Sequence, residues 1–129
     1  MLFRSDAVVT TNGGPAHILH NETATTNHWL SINLVGHRSN RDGIGAEIKL
    51  TTSKGAQSVV VSTTGSYLSS NDKRAHFGLG SDATAKEIEV HWPSGIVQQL
   101  ENVRGDRILT IEEPVQSVKA ATVGGTARP

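Results

Sequence analysis

The chain contains no cysteine, which removes disulfides, thiolate catalysis and cysteine metal sites together and leaves the redox compartment open. It also has no excess charge. Lys and Arg number 12 and so do Asp and Glu, whereas a nucleic-acid binder needs positive charge to neutralise phosphates. No basic amphipathic stretch suits a membrane surface, and no run is long and apolar enough to cross a bilayer. Neither nucleic acid nor membrane insertion is therefore expected. The start, Met1-Leu2-Phe3-Arg4-Ser5-Asp6, lacks the apolar region of a signal peptide, so an exported parent implies that this chain is a fragment of it. Finally, no window of helical length carries an apolar stripe at i, i+3, i+4.

What is present reads as strands. Leu30, Ile32 and Leu34 alternate with Ser31 and Asn33, and Ala46, Ile48 and Leu50 alternate with Glu47 and Lys49, the period of half-buried strands. A Ser53-Lys54-Gly55 turn leads into the valine-rich residues 57–62, which predicts a hairpin. Phe77 and Leu79 flank Gly78 in a short strand. Ile88, Val90 and Trp92 alternate with Glu87, Glu89 and His91, and Pro93-Ser94-Gly95 turns the chain into residues 96–100, with a last strand at 107–112. Short strands separated by Gly, Pro and Asn turns predict an all-β fold, an antiparallel β-sandwich or partly open barrel. The 129 residues fit one such domain plus a leftover segment. At the N-terminus, residues 7–11 and 17–21 form two candidate strands around Asn12-Gly13-Gly14-Pro15, followed by a polar linker. A lone hairpin is marginal in water, so these strands call for a partner sheet or a strand-paired homodimer. Residues 114–129, small and rich in Gly, Ala and Thr, predict a disordered tail or linker.

Polar chemistry concentrates in residues 65–80, which hold the only tyrosine, a run of hydroxyls, Asn71-Asp72, Arg74 and His76. One reading makes Tyr67, Ser69, Asn71, Asp72, Arg74 and His76 a site for a sugar or peptide, with a stacking face and directional hydrogen bonds. The other makes the segment a long connection whose short side chains bond their own backbone, with Asp72 paired to Arg41 or Arg74. A second polar loop, Ser39-Asn40-Arg41-Asp42-Gly43-Ile44-Gly45, offers Arg41 as a carboxylate or phosphate fork and Asp42 with Asn40 as oxygen donors to a hard cation, or reads as an Arg-Asp-braced turn. It has no Asp-x-Asp-x-Asp-Gly spacing, and its Gly-x-Gly opens a strand, so it is no dinucleotide cradle. An Arg41–Asp72 pair would tie the two loops together.

Other constellations are weaker. His17 and His20 fall on opposite faces of a strand, the remaining histidines are scattered, and no HExxH exists; no metal site and no cofactor are expected. Ser66, Ser69 or Ser70 with His76 and Asp72 supply triad residue types, but without a Gly-x-Ser-x-Gly elbow and from sequential neighbours; no catalytic residue is assigned. Trp92 shares parity with Ile88 and Val90, which assigns it to the core; exposed instead, it would form a carbohydrate platform with Tyr67. Asn21-Glu22-Thr23 is a glycosylation sequon.

His28-Trp29-Leu30, Ser39 through Ala46, Gly65-Ser66-Tyr67-Leu68-Ser69, Asn71-Asp72, His76-Phe77-Gly78-Leu79-Gly80, Trp92-Pro93-Ser94-Gly95 and Asn102-Val103 through Asp106-Arg107 occur in this order. Over residues 27–113 they resemble the ASPIC/UnbV domain, found in cartilage acidic protein-like and many bacterial exported proteins. That domain usually follows FG-GAP (integrin α-like) propeller repeats, and residues 6–22 resemble the final strands of such a blade, without its Asp-rich calcium loop. The resemblance implies residues 1–26 as a blade remnant and linker and residues 27–113 as the domain. The parent would be secreted or at the cell surface. The expected role is a non-catalytic module for protein interaction or structural support, docked on the parent's propeller, and the residues of the two polar loops, Arg41, Asp42, Tyr67, Ser69, Asn71, Asp72, Arg74 and His76, are its expected contact surface. The alternatives are a carbohydrate-binding module and, from the association of the UnbV branch with enediyne biosynthesis clusters, an accessory enzyme domain.

Overall fold

A computed structural model describes residues 5–115. Among these residues nine strands form in three sheets: β1 (Ala7–Val9), β2 (His17–Leu19), β3 (His28–Val35), β4 (Glu47–Thr52), β5 (Gly55–Val60), β6 (Ala75–Gly80), β7 (Thr84–His91), β8 (Val97–Arg104) and β9 (Arg107–Glu112). One sheet is β6-β3-β9, another is β5-β4-β7-β8, and β1 and β2 pair alone. The four- and three-stranded sheets pack face to face without closing into a barrel, which makes the all-β sandwich read from the alternation. The tail expected to be disordered lies, from residue 116 onward, outside the described residues.

The alternating apolar residues build the core. Leu30, Ile32, Phe77, Leu79 and Ile111 from one sheet meet Ile48, Leu50, Ile88, Val90 and Trp92 from the other side, all buried. The β4–β5 hairpin turns on Ser53-Lys54 with Thr52 opposite Gly55. One pairing departs from the antiparallel rule: β3 and β9 run parallel, Leu30 opposite Arg107 through Val35 opposite Glu112. A parallel pair needs a long crossover, and here residues 36–106 serve as that crossover. The first and last strands of the sandwich are thus zipped together.

This path sorts the connections to two ends. The linker at 21–27, the β4–β5 turn, the β6–β7 connection and the β8–β9 turn share one end. Residues 36–46, 61–74 and 92–96, together with the exit from β9, share the other, called here the loop end. The linker end is fastened by Asp106, which lies at φ 57° and bonds the His28 ring at 2.6 Å.

The N-terminal hairpin forms as expected, with Val8 opposite Ile18 and Thr11 Oγ1 donating to the Pro15 carbonyl across the turn at 3.1 Å. Asp6 clasps its base through the Asn21 amide at 2.9 Å. It leaves much of its apolar surface open, with Val8 65% and Ile18 72% exposed.

The exit of β9 holds a buried charge. The Glu113 side chain, 1% exposed, accepts the backbone N–H groups of His37, Arg38 and Ser39 at 2.8, 2.7 and 2.7 Å. It also accepts the Ser39 hydroxyl at 2.9 Å and the Ser94 hydroxyl. Burial by itself would raise its pKa, but the Ser39 and His37 amides and the two hydroxyls outweigh it and hold the carboxyl at about 2. A depressed folded-state pKa stabilises the fold above the unfolded value near 4.5 and loses that contribution as pH falls toward 2. The shift is worth on the order of 3 kcal/mol. Glu113→Ala, which strands three amides and two hydroxyls, is expected to cost about 2–4 kcal/mol in urea denaturation at pH 7. The difference between variant and wild type should shrink toward pH 2.

Candidate functional site

Both polar loops of the family-like motifs converge at the loop end, and each is stiffened by its own short side chains. In residues 36–46 Asn40 brackets Ile44, its Oδ1 accepting the Ile44 amide at 2.8 Å and its Nδ2 donating to the Ile44 carbonyl at 2.7 Å. Gly36 N–H donates to the Arg41 carbonyl at 2.9 Å. Gly43 sits at φ 64°, and a Cβ there would lie 2.7 Å from Leu34 Cβ, so both backbone and packing require glycine. The loop is a compact Asx-braced turn.

Residues 61–74 form a second braced projection. Thr64 and Ser70 bridge, the Asn71 amide donates to the Thr63 carbonyl at 2.9 Å and the Ser69 amide to the Ser66 carbonyl at 3.1 Å. The Ser69 hydroxyl adds a bond to the Tyr67 carbonyl at 3.3 Å. Gly65 passes so close to Asn71 that a Cβ would meet its Nδ2 at 1.9 Å. At the apex stand Tyr67, 89% exposed, and Leu68, 90% exposed. Leu68 is held at φ 54°, a region that costs a non-glycine residue about 1–2 kcal/mol.

The charges of the segment are mostly spent on one another. Asp72 accepts the Arg74 amide at 3.0 Å and its guanidinium Nε at 2.9 and 3.1 Å. The expected Arg41–Asp72 pair is not made, because Arg74, two residues away, reaches Asp72 first. The two loops are nevertheless tied, by Lys73 Nζ and Asp42 Oδ2 at 2.7 Å. Arg41 is left exposed, its guanidinium without a side-chain partner among the described residues. His76 lies on the outer face of the three-stranded sheet, its ring stacked on Trp29 at 5.8 Å between centroids and 23° between planes.

The eight candidate residues therefore divide. Ser69 and Asn71 brace the projection, Asp72 is engaged by Arg74, Asp42 by Lys73, and His76 stacks on Trp29. All but Asp42 are exposed, and Tyr67 and Arg41 carry no side-chain bond to another residue among the described residues. Of the Ser/His/Asp candidates, Asp72 is engaged by Arg74 and the Ser69 hydroxyl is on the Tyr67 carbonyl. Trp92 is buried as its parity predicted, and its Nε1–H donates to Gln98 Oε1 at 3.0 Å, so the Tyr67–Trp92 platform does not form. Among the described residues no three His, Asp or Glu side chains are grouped to hold a metal ion. Sequence reasoning missed Leu68, treated as an ordinary member of a polar segment, and Glu113, whose partners lie 19 to 76 residues away.

Residues 36–118 match the family model described as ASPIC and UnbV. The matched span opens directly after β3, so it takes in both polar loops, the Trp92 turn and Glu113, while His28-Trp29-Leu30 lies before it. No curated protein matches the chain.

Asp72 has its pKa lowered to about 2, first by the Arg74 guanidinium bond and then by the Arg74 amide. Carbon-detected NMR titration is expected to place its carboxyl near that value, and Arg74→Ala to return it toward the ordinary aspartate range. The sign makes the pair stabilising above about pH 4, a contribution lost as pH falls from there through about 2; being exposed, it contributes little.

Proposed function

The chain belongs to the ASPIC and UnbV family, and from that premise we propose that it is a non-catalytic recognition module that binds another protein through the Tyr67–Leu68 apex. The observation that carries this reading is the apex itself. Two large apolar side chains stand almost fully in solvent on a projection locked by backbone and side-chain bonds. Exposed apolar anchors on a rigid support favour association, because little side-chain and loop entropy is lost on binding. Strain at Leu68 fits a position retained for contact. Arg41, on the neighbouring loop tied in by Asp42–Lys73, adds a guanidinium for a partner carboxylate.

In this reading the module is part of a larger secreted or cell-surface protein, and β1–β2 is the closing piece of a preceding FG-GAP-type propeller blade. Support comes from a hairpin that leaves its apolar side chains largely open and so calls for a sheet to complete it. A second copy paired along the hairpin edge is the competing occupant; light scattering of the whole parent separates them, a monomer favouring the blade.

The test is a binding screen of the whole parent against extracellular proteins and glycans, repeated with Tyr67→Ala and Leu68→Ala. Both variants are expected to melt as the wild type does. Tyr67→Ala is expected to weaken the protein contact by roughly 30-fold, as an anchor residue does. Unchanged affinity in both variants would exclude the apex as the contact.

A further inference from the structure

The far side of the molecule shows the opposite pattern. At the linker end a cleft of about 340 Å³ is lined by Ser53, Ser81, Asp82, Thr84, Lys86 and Asn102, among others. It is assembled from the β4–β5 turn, the β6–β7 connection and a break in the β7–β8 ladder. Inward-facing positions run Ile88 and Val90 in β7 and Gln98 and Leu100 in β8, then shift to Ala85 and Val103. The shift falls where Lys86 and Asn102 stand opposite one another, between the Ala85–Val103 and Glu87–Glu101 pairs. Asn102 accommodates it at φ 53°, a conformation asparagine tolerates better than most residues. The break places both side chains on the wall of the cleft.

The polar groups of this cleft are not spent on each other as those of the loop end are. Asp82 is the exception: it accepts the Ser53 amide at 2.7 Å and the Ser53 hydroxyl at 2.6 and 2.8 Å. Those bonds, and after them the charges of Lys54 and Lys86, keep its carboxyl below the usual range. Among the described residues, neither Lys54 nor Lys86 lies within salt-bridge distance of a carboxylate. The Ser81 and Thr84 hydroxyls and the Asn102 amide likewise make no side-chain hydrogen bond there. The cleft thus holds one fixed, ionised acceptor, the Lys86 ammonium, two hydroxyls and an amide that both donates and accepts, with the Lys54 charge acting on Asp82 from outside its lining.

We infer that this cleft binds an acidic saccharide, a hydroxyl-rich ring bearing one carboxylate, with Lys86 pairing the carboxylate and Asn102 bridging ring hydroxyls. The lysines favour an anion. Asp82 favours ligand hydroxyls as donors and disfavours a multiply charged group such as phosphate, which would face a carboxylate. Asn102 suits vicinal hydroxyls, one donating and one accepting. Without an aromatic wall the affinity of one sugar unit is weak, on the order of 1 mM. This site is separate from the Tyr67–Leu68 apex and does not depend on it.

Amide chemical-shift titration of the intact chain with sodium glucuronate, glucose and sodium acetate tests the assignment. Glucuronate is expected to shift Ser81, Asp82, Thr84, Lys86 and Asn102 saturably, with glucose and acetate each at least roughly fivefold weaker, the size of one exposed ion pair or hydrogen-bond set. Lys86→Gln, on the surface and neutral to folding, is expected to weaken glucuronate roughly fivefold. Asn102→Gly, which keeps the left-handed backbone without strain, is expected to weaken it as well, while Tyr67→Ala leaves it unchanged. The assignment is overturned by any of three results: no saturable shift at the cleft, acetate equal to glucuronate, or full binding by Lys86→Gln.

Discussion

Everything at the loop end hangs on one buried carboxylate. Glu113 closes the parallel β3–β9 pair at the point where the last strand leaves the sandwich, and in the same contact gathers residues 37–39 and the Pro93-Ser94-Gly95 turn. A buried charge is tolerated only when its hydrogen-bonding capacity is met, and here three backbone amides and two hydroxyls meet it. Those amides, in a loop, would otherwise need water or an external anion. The cost of leaving either side unpaired keeps three separated stretches of chain in one arrangement. The Asn40 turn, Asp42 and its tie to Lys73 are built outward from that base, and the Tyr67–Leu68 apex stands beyond them.

The two ends of the sandwich consequently play different parts. At the loop end polar side chains serve architecture: those of Asn40, Ser69 and Asp72 all bond within the chain, which helps convert a polar segment into a stiff support for two apolar residues. At the linker end a break in one ladder leaves hydroxyls, an amide and an ammonium group facing a cleft. Polar density is therefore a poor guide to where a ligand goes. The better guide is whether the polar groups are already satisfied.

How much of this was readable from the sequence follows from the range of the forces involved. Strand alternation placed Ile32, Ile48, Ile88, Val90 and Trp92 inward, because the period of two is a local property of the backbone. The Ser53-Lys54 and Pro93-Ser94-Gly95 turns and the N-terminal hairpin were equally local. Asp72–Arg74, the local member of the two pairings offered for Asp72, was equally legible, whereas the cross-loop tie was not: it runs through Lys73 and Asp42 rather than Arg41 and Asp72. The parallel β3–β9 pair, the Glu113 cradle and the Lys86–Asn102 break depend on registers between distant segments, which no local pattern encodes. Leu68 escaped notice because an exposed leucine at positive φ looks, in sequence, like any apolar residue near a turn.

The central claim is that Glu113 fixes the loop end as one rigid base. Native-state hydrogen exchange of the His37, Arg38 and Ser39 amides tests it most directly. If the carboxylate holds them, these loop amides exchange as slowly as those of β3 and β9, with opening free energies close to global unfolding. Exchange at the fast rates of a fraying surface loop, while β3 and β9 stay protected, would contradict the account.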